Sequence, residues 1–326
     1  MKNEDLINKL EEQKKGSKSK QIIQQFAAFG ALILLYIFFS IFGRNFFSVE
    51  NFLSIALQTS IIAFIGIGVT FVIITAGIDL GIGSVLALCG VITGLAMKAG
   101  IHPVIAIILG LLTGVLCGFF NAFWITKGGL PPFIATLGMM GIARGVALYI
   151  TNAAPIYEFP SSFEIIGGRI FKVIPVPVII MIFVAIIFGF ILAKTKLGLY
   201  IYAIGSNEEA SRLSGININL IKYSVYAISG ILSAVAGIVL ASRLVTAQPT
   251  AGIAYELDAI ASAIIGGTSL MGGVGTIVGT MIGAFIIGVL RNGLNIMGVS
   301  SFIQQIIIGS VIILAVFMDQ LRNKIK

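Results

Sequence analysis

The sequence is poor in charged residues, which make up only 10% of its 326 positions. An average soluble domain carries about 25% charged residues, so this composition excludes an ordinary soluble fold. Hydrophobic residues instead make up 58% of the chain, and the mean hydropathy is +1.07. The composition therefore predicts an all-α polytopic membrane protein, for which the lipid bilayer is the first partner.

Residue types that carry chemistry are also scarce. The single histidine, His102, stands beside a proline in a predicted turn and cannot build a metal site or a catalytic triad alone. The two cysteines, Cys89 and Cys117, fall in apolar runs without metal-like spacing, so we interpret them as small buried hydrophobes. The chain has no Gly-x-x-x-x-Gly-Lys-Ser/Thr run to cradle a phosphate. We therefore expect no catalytic residue, no metal ligand and no cofactor bound by this chain.

Apolar runs along the chain predict ten membrane spans joined by short polar breaks. The third and eighth are short for a full crossing. The predicted spans are 22–42, 52–75, 84–97, 104–126, 133–150, 175–193, 223–241, 256–271, 276–297 and 301–318. Three regions follow: a basic cytoplasmic tail (1–21), a transmembrane domain (22–320) that includes a polar loop at 194–222, and a second tail (321–326).

Lysine and arginine are distributed unevenly between the two predicted sides. With both termini inside, the inner segments hold fourteen: six in the first tail, Lys127, four in 194–222 and three in the last tail. The outer segments hold five, and Arg144 and Arg291 lie within spans. The positive-inside rule therefore predicts cytoplasmic termini and a cytoplasmic loop 194–222. This orientation accounts for the net charge of +8, and we expect no nucleic-acid partner.

The loop 194–222 is the longest polar interval among the later predicted spans, and it contains a helix signal. Ser206 with Glu209 three residues later is typical of a capping box, and Gly215 is typical of a helix stop. These signals predict a helix of about two turns, too short to cross a bilayer.

The predicted short helix has one charged face. Glu208, Glu209 and Arg212 are expected on its exposed side, with Ala210 and Leu213 facing inward. Such a helix either joins two spans as an ordinary linker or is held by a soluble partner that moves the spans behind it. Its shape alone favours the linker.

A few polar residues inside or between the predicted spans are candidates for function. Asp79 either caps the helix that follows it, which we favour, or serves the transport path. Arg144 and Arg291 either line an aqueous path or reach water from near a helix end, with structure slightly favoured for Arg144 and the alternatives even for Arg291.

Side-chain amides form a second set of pathway candidates. Polar groups that could bind hydroxyls weakly and pass a neutral polar cargo are Asn121, Asn292, Asn295, Gln304 and Gln305. The candidates for the pathway or gate are Asp79, Asn121, Arg291, Asn292 and Asn295. Glu256 and Asp258 open the eighth predicted span, where a helix dipole accounts for them. The sequence shows no mid-span relay of paired carboxylates or histidines, which weakens an ion-driven mechanism.

Five segments in order carry a family resemblance. They are TAGIDLGIGS at 75–84, LPPFIATLG at 130–138, AIGSNEEASRLSGI at 203–216, ELDAIASAIIGGTSLMGG at 256–273 and NGLNIMGVSSFIQQ at 292–305. Over residues 24–320 the chain resembles the membrane permeases of bacterial sugar ABC importers, of the ribose type. Gly81 and Ser211 depart from residues common in that family, and neither departure selects a cargo.

The resemblance implies a vitamin-B12-importer-like (type II) fold with about ten helices per subunit, in a homodimer in the bacterial inner membrane. It implies a cytoplasmic ATPase with two nucleotide-binding domains, which uses ATP and Mg²⁺, and an external sugar-binding protein. The ATPase would clasp a coupling helix that corresponds here to Ser206, Asn207, Glu208, Glu209, Ala210, Ser211, Arg212, Leu213, Ser214 and Gly215. Ribose is the favoured cargo, and an ion-gradient-driven secondary transporter is the alternative.

Overall fold

The structure of the chain is a computed structural model that describes residues 24–324. The predicted tail 1–21 and residues 325–326 lie outside the described residues. The helices are α1 (Gln24–Phe42), α2 (Val49–Ile74), α3 (Ile82–Lys98), α4 (Pro103–Thr126), α5 (Pro132–Thr151), α6 (Ser161–Gly167), α7 (Val176–Lys194), α8 (Lys196–Ser206), α9 (Glu208–Leu213), α10 (Ile218–Leu244), α11 (Tyr255–Ile265), α12 (Ile277–Ile296) and α13 (Ser301–Lys324).

Within residues 24–324, eight helices are long and apolar enough to cross a membrane, and α3 is a shorter apolar helix. The eight are α1, α2, α4, α5, α7, α10, α12 and α13, each of which overlaps a predicted span. Their bounds differ from the predicted ones by up to six residues, the largest difference being at the end of α13. Polar caps such as Ser48 and Asn217 start two of the helices before the apolar run begins.

Two helices form the centre of the bundle. The apolar window of α2 is 89% buried and that of α10 is 72% buried, whereas the windows of α1 and α13 are 11% buried. A helix that is hydrophobic on all sides is typical of a buried position, and α2 has this pattern along most of its length. The elements that pack on α2 and α10 therefore share a common core.

The predicted eighth span, 256–271, is wrong as a single helix. Helix α11 ends at Ile265, and Gly267 follows with a φ of +95°, which a side chain would strain. Residues 266–276 then form a loop that leads into α12. The predicted loop 151–174 also contains structure, since it holds α6 and begins a two-stranded antiparallel hairpin of β1 (Arg169–Ile170) and β2 (Ile174–Pro175). The fold is thus helical with one small hairpin.

Candidate coupling surface and polar interior

The short helix predicted in the loop 194–222 exists as α9, but its cap is not the predicted one. Ser206 is the last residue of α8, so the predicted capping box is wrong. Asn207 follows in an extended conformation, and its side-chain oxygen accepts a hydrogen bond from the Ala210 N–H at 2.8 Å. An amide caps as well as a hydroxyl does, and only Asn207 has the extended backbone that a cap requires.

The end of α9 agrees with the sequence. The helix stops at Leu213, Ser214 forms its C-terminal cap, and Gly215 adopts a φ of +83°. Such a conformation is typical of the glycine that ends a helix. The helix has six residues, or a little under two turns.

The exposed face of α9 is only partly the predicted one. Glu209 and Arg212 point outward as expected, with side chains 71% and 61% exposed. Ala210 and Leu213 were expected inward, but both are exposed, Leu213 by 82%. Ser211 is the buried residue, and its hydroxyl donates to the Asn207 carbonyl at 2.8 Å. Ser211, and not Ala210 or Leu213, therefore faces the bundle.

Glu208 fixes α9 to the start of α10. The Lys222 ammonium nitrogen lies 2.8 Å from the Glu208 carboxylate, and the Arg212 guanidinium lies 3.3 Å from its other oxygen. The Lys222 side chain is only 18% exposed, so this pair is better shielded from water than a typical surface salt bridge. A shielded salt bridge therefore joins α9 to α10.

Helix α8 joins α9 to two deeper elements. A Cβ at Gly205 would overlap the Ile74 carbonyl at the end of α2, and the Gly273 N–H donates to that same carbonyl at 2.8 Å. The Tyr202 hydroxyl donates to the Gly275 carbonyl at 2.7 Å. Burial raises the pKa of Tyr202 to about 12, which keeps this donor protonated. The end of α2, α8 and the loop 266–276 thus form one connected unit beneath α9.

A partly buried ion pair connects α11 to α12, with the Arg291 side chain 36% exposed. The Arg291 guanidinium donates to both oxygens of Asp258, at 2.7 and 2.9 Å, and the Asp258 side chain is 2% exposed. The sequence predicts the dipole of α11 as the partner of Asp258, but the main partner in the structure is Arg291. Arg291 thus links α12 to α11, a contact that neither of the two roles considered for it included. The signal in the sequence was an arginine in the apolar α12 and two acids in the first turn of α11, Glu256 and Asp258.

Asp79 is buried and bonded, but it is not the helix cap. One carboxylate oxygen accepts the Gly81 N–H at 3.0 Å, and the other accepts the Ser229 hydroxyl at 2.8 Å. The N-cap of α3 is Gly81, which has no side-chain cap. Asp79 thus fixes the turn before α3 and ties it to α10.

The amide candidates do not form one cluster. Asn121 lies on α4, which packs on α3, α5 and α10, whereas Asn292 lies on α12, which packs on α2, α7, α11 and α13. Both are buried, and neither side-chain oxygen has a hydrogen-bond partner within residues 24–324. Asn295 is exposed near the end of α12.

Arg144 lies on α5 and binds backbone carbonyls. One of its terminal nitrogens donates to the carbonyls of Pro249 and Ala251, at 2.6 and 2.8 Å. A guanidinium group cannot lose its charge in a protein, so these carbonyls supply the polar environment that it needs in an apolar helix.

A bundle of long apolar helices is the architecture of a multi-pass membrane protein. Residues 51–316 match the family model described as the permease component of the branched-chain amino acid transport system. The chain belongs to this family, whose members are membrane permease subunits of ABC transporters and not enzymes.

Individual relatives are similar over nearly their whole length. The ribose import permease of Bacillus subtilis is 45% identical over 304 residues, 93% of this chain and 94% of the relative. The ribose import permease of Haemophilus influenzae is 48% identical over 296 residues, covering 90% and 92%. The D-allose transport system permease of Escherichia coli is 41% identical over 301 residues, covering 91% and 92%. The comparison with solved structures found no match.

Proposed function

We propose that this chain is the membrane permease of an ABC importer that carries ribose into the cytoplasm. The single observation that carries the proposal is α9, a capped helix that presents Glu209, Arg212 and Leu213 to the outside of the bundle. An exposed leucine between charged residues suits a protein partner, since aromatic and aliphatic anchors within a polar rim are typical of interfaces. The partner is a cytoplasmic ATPase with two nucleotide-binding domains, which binds ATP and Mg²⁺ in place of this chain.

Ten crossings with both termini in the cytoplasm give the topology of the proposal. Eight long helices supply eight crossings, and α3 with its non-helical lead-in supplies another. Residues 245–265, which form turns first and the helix α11 afterwards, supply the tenth. The count of fourteen inner against five outer Lys and Arg favours this orientation and places α9 on the side where ATP is found.

Two copies of the chain form the importer in this proposal, with a vitamin-B12-importer-like arrangement and the route between them. The outward face of α5 supports such a surface. Gly138, Gly141 and Gly145 have open space where a side chain would stand, which leaves room for a second subunit or for cargo. An external sugar-binding protein delivers the cargo to the opposite end from α9.

The coupling mechanism follows from the contacts beneath α9. Closure of the two nucleotide-binding domains on ATP brings the two α9 helices together, and Glu208 and Lys222 transmit the movement to α10. Helix α8 transmits it through Tyr202 to the loop 266–276, and so to α11 and α12. The equilibrium shifts only if the ATP-bound partner binds one gate state more tightly than the other.

The cargo assignment rests on the ribose permeases among the relatives. The allose permease at 41% identity shows that similar helices serve another sugar, so the binding protein supplies much of the selectivity. Ribose is neutral, which suits a chain without a mid-span relay of carboxylates.

The experiment that tests the function measures ribose uptake by cells that contain the complete importer. Uptake is expected to continue when ionophores collapse the proton and sodium gradients and to stop when ATP is depleted. The reverse pattern would contradict the proposal and support a secondary transporter.

The variant Glu209→Lys tests the role of α9 in the same cells. It reverses a charge on the exposed face and is expected to abolish uptake and ATPase co-purification while the permease stays in the membrane. The control Glu164→Lys changes an exposed acid on α6 and is expected to retain the ATPase. Normal uptake by Glu209→Lys without bound ATPase would refute the coupling role.

A further inference from the structure

Residues 245–254 form a non-helical segment that runs into the helix bundle beside α3. Ala247 packs at Gly94, near the outer end of α3, where a Cβ on the glycine would lie 3.1 Å from the alanine methyl. The Gly252 carbonyl packs at Gly83 in the first turn of α3, where any Cβ would overlap it. Gly94 and Gly83 are separated by about 16 Å along a helix with a rise of about 1.5 Å per residue. The segment therefore covers most of the length of α3.

The backbone of this segment is only partly paired. The Ala251 N–H bonds to the Gln248 carbonyl in a tight turn, and Arg144 donates to the carbonyls of Pro249 and Ala251. Irregular backbone at membrane depth is tolerated only where it is enclosed by protein or lines a water-filled cavity. Arg144 thus holds in place a segment that cannot face lipid.

Two side chains of the segment point away from the protein. Gln248 and Thr250 are exposed, and neither has a hydrogen-bond partner among the described residues. Against lipid, each would lose the hydrogen bonds it makes in water, at a cost of several kcal/mol per group. Their surroundings must therefore be water or a polar surface.

The neighbouring face of α5 is open. Gly141 and Gly145 flank Arg144, and neither has any atom within 4 Å of where a Cβ would stand. On the other side, between the segment, α3 and α10, the space is narrow, at about 10 Å³, which is room for about one water molecule. Open space thus adjoins the segment on the α5 side, as expected for a surface that lines a route there.

We propose that Gln248 and Thr250 line the path of the sugar and bind its hydroxyl groups in passing, with Arg144 as the positioning residue; this inference rests on the proposed function. The Gln248 amide offers two donors and one acceptor oxygen, and the Thr250 hydroxyl offers one donor and two lone pairs. Neither carries a charge, and the Arg144 guanidinium donates to carbonyls of the segment. The surface therefore suits a neutral polyhydroxylated cargo that must be released again.

The first test measures whether the segment faces water, independently of any cargo. Thr250→Cys is labelled in cell membranes with a charged methanethiosulfonate reagent that does not cross lipid, in the complete importer. Leu116→Cys is the matched control, since Leu116 is 66% exposed on α4, on a face expected in lipid. The native cysteines are both buried and give a low background. We expect Thr250→Cys to react at least about tenfold faster, because the reagent partitions poorly into lipid.

The second test measures transport in proteoliposomes that hold the permease, the ATPase and the loaded binding protein. Gln248→Leu and Thr250→Val are expected to lower ribose uptake by about tenfold, the effect of losing a hydrogen bond to a cargo hydroxyl. ATP hydrolysis stimulated by the binding protein is expected to persist. The control Thr113→Val removes a hydroxyl on α4 that already bonds to its own helix at Leu109, and is expected to leave uptake unchanged.

The two tests separate failure of this inference from failure of the proposed function. If the unmodified importer takes up no ribose, the proposed function fails. If Thr250→Cys is also labelled slowly, the inference that Gln248 and Thr250 line a water-filled path fails with it. If ribose is carried but Thr250→Cys labels no faster than Leu116→Cys, or both polar variants transport normally, the inference alone is overturned. Rapid labelling together with loss of uptake in both variants supports it.

Discussion

The ion pair between Asp258 and Arg291 gives a prediction whose size follows from burial. Arg291→Met leaves the Asp258 carboxylate, 2% exposed, without its cation. Removing one partner of a fully buried pair costs about 3–5 kcal/mol, because the remaining charge stays desolvated. The Arg291 side chain is 36% exposed, so water screens part of the interaction and we expect a cost of about 2–3 kcal/mol. The unfolding midpoint of the purified permease in detergent should therefore fall by about 5 °C.

A double variant separates the effect of the unpaired Asp258 carboxylate from the effect of losing the Arg291 side chain. Adding Asp258→Leu to Arg291→Met removes the stranded charge, and a pair replaced by apolar residues is often neutral to within about 1 kcal/mol. We expect the double variant to recover most of the lost midpoint, and Arg169→Met, at an exposed hairpin position, to change it little. The reasoning is refuted if Arg291→Met unfolds near the unmodified midpoint, or if the double variant is no more stable than the single one.

Two further predictions concern the unit beneath α9. Tyr202→Phe removes the bond to the Gly275 carbonyl and should cost about 0.5–1.5 kcal/mol in thermal unfolding. The pKa of Tyr202 in the folded protein, about 12, exceeds its ordinary value of about 10. The stabilisation by the Tyr202 hydroxyl is therefore present below about pH 10 and lost as the pH rises through about 12. An equal loss of stability in Tyr202→Phe at about pH 7 and about pH 12.5 would contradict this. The added methyl in Gly205→Ala overlaps the Ile74 carbonyl and should lower the free energy of unfolding by about 1–3 kcal/mol. The control Gly30→Ala has open space and should leave it unchanged. Equal unfolding midpoints for the two variants would contradict the contact.

Much of the helical layout could be predicted from the sequence, because long apolar runs have few alternatives in a membrane. The short helix in the loop 194–222 was also predicted, since its stop at Gly215 requires a left-handed conformation. Its cap was not. Ser206 and Asn207 are adjacent and both are good caps, and only the extended backbone at Asn207 decides between them. The orientation of α9 on the bundle, which leaves Leu213 82% exposed, also follows from packing between distant residues.

Contacts between distant residues could not be predicted from the sequence. Asp258 and Arg291 lie on different helices, and the helix dipole was a sufficient local explanation for the acid. The segment 245–254 was predicted as an outer loop, because nothing in its composition shows that it folds back along α3. Its anchor, Arg144, had been assigned a structural role without its carbonyl partners.

The central claim is that a partner ATPase drives transport through α9. The most direct measurement combines ATPase co-purification with ATP-dependent ribose uptake for Leu213→Asp, which places a charge on the 82% exposed leucine of α9. Phe171→Asp, at an 88% exposed position in the hairpin turn near the opposite end of α10, is the control for the ATPase pull-down. We expect Leu213→Asp to lose both the ATPase and uptake while its membrane level is unchanged, and Phe171→Asp to keep the ATPase. A Leu213→Asp permease that retains the ATPase and carries ribose at the unmodified rate would contradict the account.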